Sequence, residues 1–195
     1  MIILASASPT RARMLKDAGI AFEVAASGLD EAVAKARLSA VGAHPQQVAE
    51  HLAEAKALAV AAARQALVIG ADQTLDLDGA LLDKAADLNA ARVRLEGLRD
   101  RTHRLHSAAA IARGGEVIWR CTSSPTLTMR AFSDGFLDGY LATCGEAAVR
   151  SLGCYHLEGR GAQLIDRVEG DYFAVLGLPL IELLAALRDL GEIAT

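Results

Sequence analysis

A chain of 195 residues, 52% of them apolar and 23% charged, can bury a sizeable core, which excludes a disordered chain and predicts one domain over residues 1–195. A formal charge of -4 gives no chain-wide positive field for a nucleic acid polymer, so any bound anion must meet a local basic cluster. No window reaches the roughly 18 to 20 apolar residues that span a bilayer, and Met1 to Ala5 lacks the makings of a signal peptide; Cys121, Cys144 and Cys154 form no CxxC pair, so a cytoplasmic address without a disulfide framework is expected.

The opening reads as a short buried strand (IILA), a small-residue turn (SASPT) and a helix opened by Ser8 and Pro9 and closed near Gly19. FEVAAS suits a second strand, and Leu29 to Ala43 reads as a looser charged stretch. From Gln47 to Arg64, Val48, Leu52, Ala55, Leu58, Ala59 and Ala62 share one helical stripe. LVIGA is a continuous apolar run suited to a central strand covered on both faces, and DLDG turns it back into ALL. A helix over Leu88 to Leu98 follows, then long strands over Thr102 to Arg113 and Glu116 to Met129, joined by RGGE and expected to pair antiparallel. Ser133 caps a helix through Thr143. Glycines then separate short extended runs, AQLIDRV and YFAVL, before Pro179 opens a last helix through Leu190. The expected fold is α/β, with a mixed, twisted, partly antiparallel sheet flanked by helices.

Three places could carry chemistry. Ser6 and Ser8 sit where a helix start presents unpaired N–H groups, and Arg11 and Arg13 add donors suited to phosphate oxygens; a plain cap with solvated arginines fits the same residues. Asp72 ends an apolar strand after Gly70 and Ala71, where a carboxylate is costly to desolvate without a partner or a task; capping the next turn is the alternative. Glu31, beside Asp30, could be a second acid. Lys56 lies on a helix crowded with Ala and Leu, and Lys84 follows the hairpin; each alone could be a solvated surface group. Together, acids that can hold a divalent cation and bases that can hold a polyphosphate point to phosphate chemistry. His103 and His106, three apart on a strand, face opposite sides and cannot share an ion, and His44, His51 and His156 show no ligand spacing; His103 alone is held open for a role.

The order of these segments resembles the Maf family of nucleotide pyrophosphatases nearly end to end. LASASPTRARML is similar to LASxSPRRxxLL, AEAKA to the helix lysine motif, VIGADQTL to the GAD element, LLDKAAD to the GKP element, LRDRTH to LSGRTH, and YHLEGRGAQLIDRVEGDYFAVLGLPL to the glycine-rich finish. The resemblance implies a Maf/ITPase-like fold with a cleft between two lobes, a homodimer, and hydrolysis of the α–β phosphoanhydride of a nucleoside triphosphate. It makes Asp72 the acceptor of the water proton and Glu31 a second acid, both near a Mg²⁺ or Mn²⁺ ion, with Lys84 also catalytic and Ser8, Arg11, Lys56 and Lys84 holding the triphosphate. Thr10, Gln73 and Glu158 stand where the family sorts its bases. Gln73 and Glu158 look like the branch that cleaves 7-methyl-GTP, whereas Thr10 departs from that branch's aromatic residue, so dTTP/UTP and inosine or xanthosine triphosphates stay open as substrates. Asp83 and Asp100 replace usual glycines. A nucleotide-binding regulator of cell division without turnover is the rival from another class.

Overall fold

The computed structural model describes residues 1–194. Its frame is an open, mixed sheet of eight strands: β1 (Ile2–Ala5), β2 (Glu23–Val24), β3 (Leu67–Leu77), β4 (Ala80–Leu82), β5 (Thr102–Arg113), β6 (Glu116–Ser123), β7 (Thr126–Met129) and β8 (Ile165–Glu169). The main path runs β2-β1-β3-β5-β7-β8, with β4 on β3 and β6 on β5. β1 is parallel to β2 and β3, and every other pairing is antiparallel. Seven α-helices flank this sheet among the described residues: α1 (Pro9–Asp17), α2 (Glu31–Ala40), α3 (Pro45–Ala61), α4 (Leu88–Leu98), α5 (Asp134–Cys144), α6 (Tyr172–Val175) and α7 (Leu180–Asp189). Two 3-10 segments, Gly145–Arg150 and Arg160–Leu164, lie between α5 and β8.

The long ladder between β3 and β5 organises the rest. It keeps one register from Val68↔Ala112 to Asp76↔Arg104, so even-numbered residues of both strands share one face and odd-numbered residues the other. α3 covers the even face. Its Ala49, Ala53 and Ala57 join Ile3, Ala5, Val68, Ala108 and Ala110 in one core cluster. Small residues are needed there because the two backbones nearly touch: a Cβ at Gly70 would stand 2.1 Å from the Ala53 carbonyl oxygen and 2.6 Å from the Ala57 nitrogen. α1 and α7 close the odd face over Leu67, Ile69 and Ile111, while α4 and α5 pack with Leu75, Leu105, Leu127 and Tyr155 in a third cluster.

Several sequence expectations need correction. The stretch from Leu29 to Ala43 contains α2, capped by Asp30, whose side chain accepts from the Val33 N–H at 3.0 Å. No α2 residue is buried, so it lacks the apolar stripe by which a helix is read, while its Ala, Lys, Arg and Leu favour the helical backbone on their own. YFAVL, expected to be extended, holds α6, because Asp171 accepts from the Phe173 and Ala174 N–H groups. The expected long strand from Glu116 to Met129 breaks between Ser123 and Thr126, where Pro125 has no N–H to donate; β6 and β7 then pair with different parts of β5. The FEVAAS strand shrinks to Glu23–Val24. α1 and α5 start at the expected caps, Ser8 and Ser133.

Candidate active site

β3 runs on to Leu77, so Asp72, expected at a strand end, instead lies in mid-strand on the even face, beneath α3. Lys56 meets it there. Its ammonium donates to Asp72 Oδ1 at 2.6 Å and lies 2.9 Å from Glu31 Oε1, so one lysine bridges two acids. Lys56 and Asp72 are each about 5% exposed, whereas the Glu31 side chain is 46% exposed, so the group runs from the core to the surface. Glu31 reaches Lys56 because it is the first residue of α2, turned inward by the Asp30 cap. Taking Lys56 and Asp72 out of water costs several kcal/mol per ion, which their short charged hydrogen bond must offset. The second Asp72 oxygen, Oδ2, is buried without a hydrogen-bond partner, an unusual state for a carboxylate and one that suits a ligand, a water or a cation.

Arg11 stands beside this group, yet much of its donor capacity is spent inside the protein. Nε donates to the Gly177 carbonyl at 2.8 Å, and Nη1 donates to Ser6 Oγ at 3.1 Å and to the Ala71 carbonyl at 3.0 Å. The guanidinium therefore ties the turn before α1, the end of the β3 apolar run and the turn after α6 to one another. Burial lowers its pKa, and the charges of Asp72 and Glu31 oppose that change. Ser8 is the α1 cap, accepting from the Arg11 N–H at 3.4 Å. The exposed Arg13 turns to Glu158 at 3.5 Å, and Thr10 is half-buried.

Gln73 points to the odd face. Its amide donates to Ser107 Oγ at 2.9 Å and to the carbonyls of Ala174 and Val175 at 3.0 and 3.1 Å, and Ser107 Oγ donates to the Ala174 carbonyl at 2.6 Å. Sequence reasoning missed Ser107 and the Ala174–Gly177 turn, which no local motif marks; the Gln73↔Ser107 register makes the first pair. Lys84 is exposed and forms no ion pair or side-chain hydrogen bond among the described residues. Its neighbour Asp83 is held by Lys35 at 2.6 Å, which ties the segment after β4 to α2, the helix that carries Glu31. The structure thus brings together Glu31, Lys56, Asp72 and Arg11, with Ser8 alongside through the Arg11 backbone. It does not bring Lys84 into contact with them.

The histidines differ from expectation. His103 and His106 do lie on opposite faces, but His44 and His106 converge on Asp76, with donor atoms of all three within 4.8 Å of one another. His44 is the α3 cap, and its Nδ1 accepts from the Gln46 N–H at 3.3 Å. His103, buried on the odd face, shares a 2.6 Å hydrogen bond with Tyr155, and burial pushes its pKa down to about 4.

Known proteins match this chain over nearly its whole length. The Maf-like protein family covers residues 1–190. A nucleoside triphosphate pyrophosphatase of Caulobacter vibrioides is 54% identical over 96% of this chain and 94% of its own length. A protein of the same name from Paramagnetospirillum magneticum is 52% identical, covering 98% of this chain and 99% of its own. A 7-methyl-GTP pyrophosphatase of Rhizobium meliloti is 49% identical, over 99% and 98% respectively. With the family matched across all of the secondary-structure elements described above, the chain belongs to the Maf-like proteins.

Proposed function

We propose that this chain hydrolyses nucleoside triphosphates to the monophosphate and pyrophosphate, with 7-methyl-GTP as the preferred substrate. The observation that carries the reading is the unpartnered Asp72 Oδ2 beside a lysine bridging two acids. In this reaction water attacks the α-phosphorus, the bond from that phosphorus to the α–β bridging oxygen breaks, and pyrophosphate leaves with the electron pair. Asp72 Oδ2 takes the water proton. Lys56 holds the Asp72 carboxylate in place through Oδ1, and Glu31 holds Lys56 from the solvent side. Lys84, on a segment tied to α2, and Ser8, at the open end of α1, meet the phosphates, while Arg11 supplies positive charge from beneath.

Asp72 and Glu31 also fit a divalent metal: both offer hard oxygen donors, and both are turned to one cation, the Lys56 ammonium at 2.6 and 2.9 Å. When bound there, Mg²⁺ or Mn²⁺ supplies charge neutralisation for the phosphate oxygens and the departing pyrophosphate. Glu158, held by Arg13 next to α1, offers a carboxylate to a positively charged methylated purine, and Gln73 presents its amide oxygen on the same side as Gly177. The enzyme acts as a single-domain homodimer in the cytoplasm; no described helix is long and apolar enough to cross a membrane.

Pyrophosphate release from 7-methyl-GTP, GTP, dTTP, UTP, ITP and XTP, with and without Mg²⁺, tests this reading. Fastest turnover on 7-methyl-GTP with Mg²⁺ is expected. Asp72→Asn should bind nucleotide but lose at least about 100-fold in turnover, the usual contribution of a general base. Unchanged turnover in that variant would remove Asp72 as the base, and binding without turnover in the wild type would favour a regulator.

A further inference from the structure

Four residues beyond Asp72, on the same face of β3, lies a second buried acid. Four residues of strand set their main chains roughly 13 Å apart, and Asp76 shares no partner with Asp72 among the described residues. Asp76 is 6% exposed, and its Oδ2 lies 3.4 Å from His44 Nε2 and 3.3 Å from His106 Nε2. We propose that His44, Asp76 and His106 form a separate cation site for a borderline divalent transition ion, with Zn²⁺ as its type. Two imidazoles and one carboxylate suit such an ion and leave a position for water, whereas Mg²⁺ prefers oxygen donors alone.

The surroundings are those of a built site. Asp76 Oδ1 is occupied by the Gly79 N–H at 2.6 Å, which fixes the carboxylate and leaves Oδ2 turned to the two rings. His106 Nδ1 bonds Ser124 Oγ at 2.8 Å, an outer partner that orients Nε2 toward Asp76. His106 is 1% exposed, so packing holds its ring with Nε2 toward Asp76. A cavity of about 240 Å³, lined by His44, Asp76, Thr102, Arg104 and Thr126 among others, provides access from solvent and room for coordinated water. The His44 side chain is half exposed at its rim. Ligation through His44 Nε2 moves that ring's proton to Nδ1 and gives up the long 3.3 Å bond from Gln46; the other half of the capping box, the His44 N–H to Gln47 Oε1 at 2.9 Å, is untouched. The ion would join the start of α3 to β3 and β5, and α3 is the helix that carries Lys56.

Cobalt(II) is the direct probe, because its visible absorption reports nitrogen ligation and low coordination number. The full-length protein, stripped with a chelator and kept in excess Mg²⁺ to fill the carboxylate site, is titrated with Co²⁺ and then with Zn²⁺. One equivalent of Co²⁺ should give a visible band that Zn²⁺ abolishes. His106→Ala and His44→Gln should each weaken binding by about 10-fold or more, and Asp72→Asn should leave it unchanged. His44 is at the surface, so His44→Gln tests the site even where His106→Ala fails to fold. A wild-type protein without the band, equal affinity in His44→Gln, or a band lost in Asp72→Asn and kept in His44→Gln would each overturn the assignment.

Discussion

The two faces of the β3–β5 ladder bury polar groups in different ways. On the face under α3, Asp72 is neutralised by Lys56 and Glu31 extends the chain of charges to solvent, with one carboxylate oxygen left without a partner. On the opposite face, Gln73 bonds Ser107 and two carbonyls, and His103 bonds Tyr155, all as neutral groups. A charged group with a spare lone pair can accept a proton or a cation during a reaction, because its partners already balance the change. A neutral network holds a shape and resists any change of charge, even though His103 Nδ1 is itself buried without a partner. The first face is suited to chemistry and the second to support.

Three measurements probe that division, the largest effect first. Lys56→Ala removes the cation hydrogen-bonded to buried Asp72 and should cost about 3 to 5 kcal/mol in urea unfolding. The double variant Lys56→Met, Asp72→Leu should recover most of it, and a loss under about 1 kcal/mol in the single variant would mean that the pair is not buried in solution. Acid should act on the other face. His103 has a folded pKa of about 4 against an ordinary 6.5, so its contribution is intact above pH 6.5 and is lost as pH falls toward 4, when the unfolded chain takes a proton that the folded chain refuses. The loss is on the order of 3 kcal/mol, and His103→Gln should flatten the stability curve in that window. An identical slope in wild type and variant would assign the acid sensitivity elsewhere. Thr74→Val is the mildest: Thr74 Oγ1 donates to the Pro45 carbonyl at 2.8 Å in the middle of the charged face, and its loss should lower stability by about 1 kcal/mol without altering turnover. A turnover defect in that variant would show that the start of α3 communicates with Lys56.

Much of the charged face was legible in the sequence, since a carboxylate at the end of VIGA and a lysine among alanines are anomalies of burial and need no partner to be noticed. α2 was not legible, because it buries nothing and so leaves no periodic trace, and the reading of Asp30 and Glu31 as a loop pair concealed how Glu31 reaches Lys56. Arg11 was legible as a cation near the site, but its internal bonds to Gly177, Ser6 and Ala71 depend on segments up to 166 positions apart. The His44–Asp76–His106 group depends on the ladder register and on where α3 begins, so no spacing rule could bring its members together. Lys84 stays a proposal resting on its tether through Asp83.

The missing side chain at Gly70 lets the α3 main chain rest directly on the β3 main chain, with Ala53 and Ala57 as the points of contact. A lysine mounted on that helix is positioned like an instrument bolted to its bench, without an elastic layer of larger residues in between. Even one methyl group at residue 70 would jack the helix outward and lengthen the reach of the ammonium toward its acids. Engineering of rate or substrate range should therefore leave 53, 57 and 70 alone and work on the outward-facing groups at 10, 84 and 158.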